Sequence, residues 1–207
     1  MFNTKEKKER ALGVKLLLKP QRCFSPKCVT IRRPTKPGIH GRARTRPLSE
    51  FGVQLKEKQK FQWSYGLREA PMRRIFSAAL KNPAVTGNMI IILLERRLDN
   101  VVFRLGFAPS RSVGRQLVGH GHILVNGRRV DIPSYRVKAG DSIAIRPQSK
   151  TNLVFKDLAE ALKKYEPPAW LALDKEKLEA KVVSLPKDYD VPFDVNMVVD
   201  YYSKVVK

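Results

Sequence analysis

The residues best suited to metal chemistry are two cysteines, Cys23 and Cys28, and the paired histidines His120 and His122. Thiolates and imidazoles are common zinc ligands, and a closed structural zinc site normally takes four of them. His40 is the nearest possible third ligand for the cysteines, and no cysteine or histidine precedes Cys23. We therefore expect an incomplete zinc half-site, two reduced thiols in a turn, with no bound metal and no other cofactor.

The remaining candidates for catalysis also have simpler interpretations. His120 and His122 alternate where a turn enters a strand, which favours packing within the fold over a metal or proton-relay site. Asp99 lies among arginines, and we interpret it as the ion-pair partner of Arg96 or Arg104. No glycine-containing segment ends in the Gly-Lys-Ser/Thr of a nucleotide-binding loop. The sequence predicts no enzyme.

Charge points to a large anionic partner instead. The 207 residues include 41 Lys and Arg against 19 Asp and Glu, a net charge of +22. The excess is uneven: residues 1–60 carry +13, residues 61–150 carry +10, and residues 151–207 carry −1. Cations seated on phosphates release condensed counterions, so the first 150 residues should bind polyanions with a steep salt dependence. The longest apolar run, 89–94, is far shorter than the roughly 20 residues that span a bilayer.

The first predicted region is a basic N-terminal extension over residues 1–47. Seven prolines and glycines between positions 20 and 47 prevent any long helix or paired strand there. Arginines and His40 alternate with these turn residues, which favours a segment that follows RNA phosphates over a solvated flexible tail. We expect the extension to become ordered only against its partner.

The second predicted region is a helical domain over residues 48–97, completed by residues 151–207. Ser49 is a good N-cap for a helix that ends at Gly66, and further helices fit residues 70–80 and 87–98. After position 150 a helix is expected before Pro167, and the mostly apolar stretch 197–202 predicts a last helix that packs back on this domain.

The third predicted region, residues 98–150, is a small α/β module. Ser110 can cap a helix that continues to Val118. Asn126 and Gly127 have the types that a type I′ turn requires, so residues 123–130 predict a β-hairpin, and residues 142–146 predict a closing strand. The predicted fold class is therefore α+β: a helical domain with an inserted α/β module and a basic irregular N-terminal extension.

Several segments together resemble one family. The module carries RLDNVV (97–102), RLGF (104–107), SRSVGRQLV (110–118), HGHI (120–123) and VNGRRV (125–130), and the rest of the chain carries LKPQRCFSPKC (18–28), PGIHG (37–41) and LKEKQK (55–60). These segments resemble the family of bacterial small-subunit ribosomal protein four and its namesake RNA-binding module. The resemblance covers nearly the whole chain and implies a helix pair and short strands that grip RNA in an L-shaped arrangement.

The resemblance also implies the site. The residues predicted to contact RNA are Arg32, Arg33, His40, Arg42, Arg44, Lys56, Lys58, Lys60, Arg97, Asn100, Arg104, Ser110, Arg111, Arg115, Gln116, His120, His122, Asn126, Gly127, Arg128, Arg129, Tyr135 and Arg136. Members of this family often hold zinc between two cysteine pairs, and only the second pair, Cys23 and Cys28, is present. This departure from the pattern agrees with the expectation of no bound zinc.

The implied function is that of a structural protein of the small ribosomal subunit in the cytoplasm. It would bind small-subunit ribosomal RNA, nucleate assembly, contribute to translational accuracy, and lie beside small-subunit ribosomal protein five where messenger RNA enters. Two rivals are an RNA-modifying enzyme and a free RNA-binding regulator such as a heat-shock or ribosome-rescue factor. Pseudouridine synthases often carry the same module and use an aspartate in an Arg-Leu-Asp setting, but no catalytic domain has room beside Asp99.

Overall fold

The computed structural model describes residues 4–43, 46–79, 86–152, 155, 158–186 and 193–205. It divides into two compact units, residues 1–90 with 190–207, and residues 91–189. Helices dominate the first unit, and the second combines helices with an antiparallel sheet, so the predicted α+β class is confirmed. Among the helices described, none combines the length and the apolar character that a membrane crossing requires.

The N-terminal region is more regular than the sequence indicates. It contains α1 (Thr4–Leu12), α2 (Pro20–Cys23), α3 (Val29–Arg32) and a 3-10 turn (Ile39–Arg42). The buried Glu9 carboxylate accepts the N–H groups of Leu16 and Leu18, at 3.0 and 3.1 Å. Arg10 donates to main-chain carbonyls of residues 33–36. These two side chains satisfy main-chain groups that a short irregular segment would otherwise leave to water.

The rest of the first unit is a helical domain. Its elements are α4 (Glu50–Ser64), α5 (Glu69–Ala79), the start of α6 (Thr86–Glu95) and α10 (Val195–Val205). Ser49 caps α4 as predicted, because its Oγ accepts the N–H of Gly52 at 3.2 Å. The prediction of a helix near residues 70–80 is confirmed by α5.

Aromatic side chains form much of this domain's core. The ring of Tyr202 stacks on Phe76 with centroids 4.0 Å apart, and Phe193 meets Phe61 edge-on at 4.7 Å. Tyr202 and Phe193 come from the C-terminal segment, whereas Phe61 and Phe76 belong to α4 and α5. The predicted last helix therefore packs back on the helical domain, where α10 contacts α4 and α5.

The second unit is the α/β module. Its elements are α7 (Leu98–Arg104), α8 (Arg111–Gly119), β1 (Ile123–Val125), β2 (Arg128–Arg129), β3 (Ser142–Ile145), α9 (Leu158–Lys163), β4 (Leu171–Asp174) and β5 (Glu179–Val182). The sheet is antiparallel with strand order β2-β1-β3-β5-β4. Ile123 pairs with Ile145 across β1 and β3, and both side chains are buried with Val118 of α8.

The predicted domain boundary at residue 150 is wrong, because residues 158–182 belong to the module. β5 pairs with β3, and β4 pairs with β5, so these strands cover an edge that β3 would otherwise expose. Leu158, Leu162 and Trp170 are buried in the same core as the helices of the module. Leu153, which the predicted helix included, lies outside the described residues.

The predicted helix over residues 87–98 is also corrected, since α6 ends at Glu95 and α7 begins at Leu98. The intervening chain pairs with a distant segment. Leu98 N–H donates to the carbonyl of Tyr135 at 2.8 Å, and Val137 N–H donates to the carbonyl of Arg96 at 2.9 Å. Between α6 and α7, these main-chain hydrogen bonds take the place of the hydrogen bonds that a continuous helix would form.

Candidate nucleic-acid interface

Helix α8 presents one buried and one exposed side. Ser110 Oγ accepts the N–H of Val113 at 3.4 Å and caps the helix, as predicted. Leu117 and Val118 are buried in the core of the module. Gln116 lies on the solvent side. A capped, anchored helix therefore displays polar side chains at fixed positions.

The hairpin next to α8 is held by the side chain of its turn. Asn126 and Gly127 have φ angles of +50° and +76°, as the predicted type I′ turn requires. Asn126 Nδ2 donates to Asp141 Oδ1 at 2.8 Å, and its Oδ1 accepts the N–H of Ser142 at 2.8 Å. The exposed Arg128 and Arg129 consequently extend from a fixed strand.

The hairpin and the end of α8 meet at Gly121. This residue has a φ of +73°, and a Cβ placed there would lie 2.1 Å from Arg129 Nε. A Cβ at this position would displace the Arg129 guanidinium, and the positive φ itself favours glycine. The structure thus brings Arg129 of the hairpin to the turn that carries His120 and His122.

The two histidines have different environments. His120 is exposed, whereas His122 is half-buried, with its Nδ1 2.9 Å from Ser149 Oγ. Burial lowers the pKa of His122, and the neighbouring His120, Arg146 and Arg129 lower it further. His122 is therefore neutral at pH 7 and acts as a hydrogen-bonding group.

Asp99 is the centre of the first of two ion-pair networks. Its side chain is buried, and its oxygens accept hydrogen bonds from Arg97 at 3.1 and 2.8 Å and from Arg115 at 3.1 and 2.8 Å. The predicted ion pair of Asp99 is confirmed, but its partners are Arg97 and Arg115 and not Arg96 or Arg104. Arg96 donates to a main-chain carbonyl instead, because the break before α7 turns Asp99 towards α8.

Glu95 is the centre of the second network. Arg104 Nε and Nη2 each lie 3.0 Å from its oxygens, and Asn100 Nδ2 donates to it at 2.8 Å. Asn100 Oδ1 in turn accepts Arg111 Nε at 2.7 Å. Burial would raise the pKa of Glu95, but the hydrogen bonds of Arg104 and Asn100 and the charges of Arg104 and Arg111 outweigh it and hold this pKa below its ordinary value.

Four predicted contact residues serve the fold instead. Arg97 and Asn100 are buried in the two networks, and Ser110 is buried as the cap of α8. Lys58 is buried with its Nζ 2.6 Å from Glu69 and 5.3 Å from the ring centroid of Tyr201. Burial and internal pairing account for these four side chains within the fold, and their contact with RNA stays a prediction.

The other predicted residues divide by exposure. The exposed ones are Arg32, Arg33, His40, Arg42, Gln116, His120, Asn126, Gly127, Arg128, Arg129 and Arg136, and the half-buried ones are Lys56, Lys60, Arg104, Arg111, Arg115, His122 and Tyr135. Lys60 is paired with Glu57. Arg44 lies outside the described residues. Helix α8, the turn after it and the β1–β2 hairpin bring together the largest group that is still accessible.

Comparison with known proteins agrees with this arrangement. A family model described as "Ribosomal protein S4/S9 N-terminal domain" matches residues 2–95, and one described as "S4 domain" matches residues 96–143. The small ribosomal subunit proteins uS4 of Dehalococcoides mccartyi and Gloeobacter violaceus are each 51% identical over 197 residues, 94% of both chains. That of Thermus thermophilus is 49% identical over the same share. The chain belongs to the uS4 family.

Membership of the uS4 family confirms the predicted resemblance and the prediction that the chain is a small-subunit ribosomal protein, not an enzyme. It also accounts for the predicted location, the ribosome of the cytoplasm. The Asp99 carboxylate of this chain is buried between two arginines, Arg97 and Arg115.

The cysteines of this uS4-family chain do not fit a closed zinc site. Both thiols are free and buried, and Cys28 Sγ lies 3.0 Å from Thr30 Oγ1. Both carboxylate oxygens of Glu9 lie 4.0 Å from Cys23 Sγ, and one of them, Oε1, already accepts the main-chain N–H groups of Leu16 and Leu18. In the part of the chain that the structure describes, no group of three His, Cys, Asp or Glu side chains could hold a metal ion.

Sequence reasoning missed Glu95 and Asp141, two acids that organise the uS4 module. Glu95 ends an otherwise apolar helix, and a single carboxylate on such a segment is a signal for a buried ion pair. Asp141 lies in the Gly140 turn, where it accepts from Asn126 and from the N–H of Lys138. Its partner in the hairpin turn is 15 residues away, and no local pattern identifies it.

Proposed function

We propose that the chain binds small-subunit ribosomal RNA directly, through the α8–hairpin surface of the module and through the basic N-terminal region. The observation that carries this proposal is the convergence of Arg129 with Gly121 and the histidines, beside the exposed side of α8. Membership of the uS4 family supports it, as does a net charge that resides almost wholly in the first 150 residues.

The chemistry of this surface suits RNA shape more than base sequence. Arginines donate to phosphate oxygens, whereas Gln116, Asn126 and the neutral His122 are hydrogen-bonding groups for sugar hydroxyls. The narrow major groove of an RNA helix excludes side chains, so backbone and 2′-hydroxyl contacts at a junction are expected. The exposed cations of the N-terminal region, Arg32, Arg33 and Arg42, supply a second phosphate-binding region.

The decisive experiment compares RNAs of equal length. The purified chain should bind small-subunit ribosomal RNA more tightly than an arbitrary RNA at moderate salt, with affinity falling steeply as salt rises. Chemical footprinting should then protect a compact region of that RNA. Equal affinity for both RNAs at moderate salt would reject the proposal.

Two finer functions accompany direct binding. We propose that the chain nucleates small-subunit assembly, since a protein that recognises naked RNA needs no other protein in place first. We also propose a contribution to translational accuracy, which the family resemblance implies. Omission of the chain from a reconstitution tests the first function by the loss of later-binding proteins. A misreading reporter in cells with surface variants of the chain tests the second.

The partners proposed beside RNA are small-subunit ribosomal protein five and, nearby, messenger RNA at its point of entrance. Residues 151–207 carry a net charge of −1, which suits a protein neighbour better than a phosphate backbone. Cross-linking within isolated small subunits should join this part of the chain to protein. Cross-links from it to RNA alone would contradict the assignment.

A further inference from the structure

We propose that Glu95 and Asp99 are positioning residues for RNA binding, buried carboxylates that hold the guanidinium groups of Arg111 and Arg115 in the orientation in which they meet RNA phosphate. This inference rests on the proposed function and specifies how its surface is organised. A negative group near the interface would by its charge alone weaken RNA binding. The inference is that these two carboxylates strengthen RNA binding instead.

Asp99 controls Arg115 through one edge of the guanidinium. Arg115 Nε and Nη2 lie 3.1 and 2.8 Å from Asp99 Oδ2, while the arginine side chain remains 38% exposed. Asp99 is itself fixed, since it is 3% exposed and also accepts two hydrogen bonds from Arg97. Asp99 thus fixes the direction of the Arg115 side chain, including the part that solvent reaches.

Glu95 controls Arg111 through Asn100. The amide nitrogen of Asn100 donates to Glu95 Oε2 at 2.8 Å and to the Glu95 carbonyl at 3.1 Å. The amide oxygen must then face the other way, where it accepts Arg111 Nε at 2.7 Å. The ring of Phe103 lies under the same guanidinium, with 4.7 Å between its centroid and the guanidinium carbon.

The charge balance of the two networks favours an anion. Glu95 and Asp99 carry two negative charges, and the four arginines that they contact, Arg97, Arg104, Arg111 and Arg115, carry four positive ones. Among the described residues, the six charged side chains of these two networks therefore sum to a net positive charge. An arginine restrained in this way loses less rotamer freedom when it binds phosphate than one on a flexible stem.

A pair of variants with the same change in charge separates positioning from electrostatics. Glu95→Gln and Asp131→Asn each remove one negative charge from the module, and Asp131 is exposed. If charge alone mattered, both variants would bind RNA more tightly. We expect Glu95→Gln to bind a small-subunit ribosomal RNA fragment roughly fivefold to twentyfold more weakly, from the loss of hydrogen bonds that orient a charged group. Asp131→Asn should bind as tightly as the wild type or more tightly.

A second RNA distinguishes positioning from damage to the fold. Poly(U) needs cations but no fixed geometry, so Glu95→Gln should bind it at least as well as the wild type does. Thermal unfolding curves of all variants, followed by circular dichroism, identify a temperature at which every variant is folded. RNA binding is then measured at that temperature. Arg111→Lys keeps both the charge and Glu95 but lacks the guanidinium Nε, and it should show the same selective loss.

The outcomes separate cleanly. A folded Glu95→Gln protein that binds the fragment like the wild type or like Asp131→Asn overturns the inference, as does an equal loss on poly(U). If Glu95→Gln does not fold, Arg111→Lys decides: wild-type affinity overturns the inference, and a loss confined to the fragment supports it. A wild-type protein with no preference for the fragment over poly(U) rejects the proposed function instead.

Discussion

Arg115 Nε and Nη2 lie 3.1 and 2.8 Å from a single oxygen of Asp99, Oδ2, which joins helix α8 to the first turn of α7. The two residues are 16 positions apart in the sequence. Sequence reasoning assigned Arg115 to RNA and Asp99 to a different arginine. The observed pair means that Arg115, which the proposed function assigns to RNA, is also part of the framework of the module, so variants of such residues should have two effects.

Exposed and paired arginines should differ in their salt dependence. Arg128→Ala should lower the slope of log affinity against log salt by about one unit, because an exposed side chain on phosphate releases its counterion fully. Arg111→Ala and Arg115→Ala should also weaken binding but change the slope less, since carboxylates already offset part of their charge. Affinity measured over a series of KCl concentrations checks both. An unchanged slope in Arg128→Ala would remove that residue from the interface.

Substitutions on the buried side of α8 should lower the stability of the protein and leave the salt dependence of RNA binding unchanged. Leu117→Ala should lower the free energy of unfolding by roughly 2–5 kcal/mol, because it removes buried methyl groups from a packed core. Urea denaturation measures this loss. The neighbouring variant Gln116→Ala is the control, since its exposed side chain should change stability by no more than about 0.5 kcal/mol.

Two glycines of α8 should respond oppositely to alanine. A Cβ at Gly114 would lie 2.7 Å from the carbonyl oxygen of Asp99, so Gly114→Ala should force the helices apart and cost about 1–3 kcal/mol. A Cβ at Gly119 meets nothing within 4 Å, and Gly119→Ala should stabilise the protein by about 0.4–1 kcal/mol. Thermal denaturation of both variants tests the close approach of α8 to α7. Equal effects would contradict it.

The lowered pKa of Glu95 predicts a loss of stability in acid. The folded state holds this carboxylate ionised below its ordinary pKa of 4.5, so the unfolded state binds the proton first. The stabilisation is therefore present above pH 4.5 and disappears as the pH falls through the lower, folded-state value. At neutral pH, Glu95→Gln should be about 3 kcal/mol less stable than the wild type, since it leaves Arg104 without its charged partner.

The quantity to measure is the difference in the free energy of unfolding between the wild type and Glu95→Gln. Urea denaturation from neutral pH into acid should show that their free energies of unfolding converge as the pH drops. A difference that stays constant below pH 4.5 would mean that Glu95 is not ionised in the folded protein.

Metal removal should leave the N-terminal region unaffected. Because Glu9 already accepts the main-chain groups beside the cysteines, a chelator should change neither the thermal unfolding temperature nor the affinity for RNA. Metal analysis of the purified protein should find no stoichiometric zinc. A fall in the unfolding temperature with EDTA, restored by added zinc, would contradict this prediction.

Local signals were enough to predict much of this fold. The N-caps Ser49 and Ser110 and the Asn126–Gly127 turn predict elements that the structure contains, as do the helices expected near residues 70–80 and 197–202. Each of these signals acts over a few residues, through a hydrogen bond to a nearby main-chain group or a backbone angle that one residue type favours. The charge distribution and the family resemblance likewise follow from the sequence alone.

Only the tertiary structure decided which arginines face solvent and where residues 158–182 pack. Arg97 and Asn100 read as RNA ligands in the sequence, but the break between α6 and α7 turns them into buried partners of Asp99 and Glu95. β4 and β5 join the module because β3 offers an edge more than 30 positions earlier in the chain. Ion pairing and strand pairing between distant segments depend on the whole packed chain, and no window of neighbouring residues encodes them.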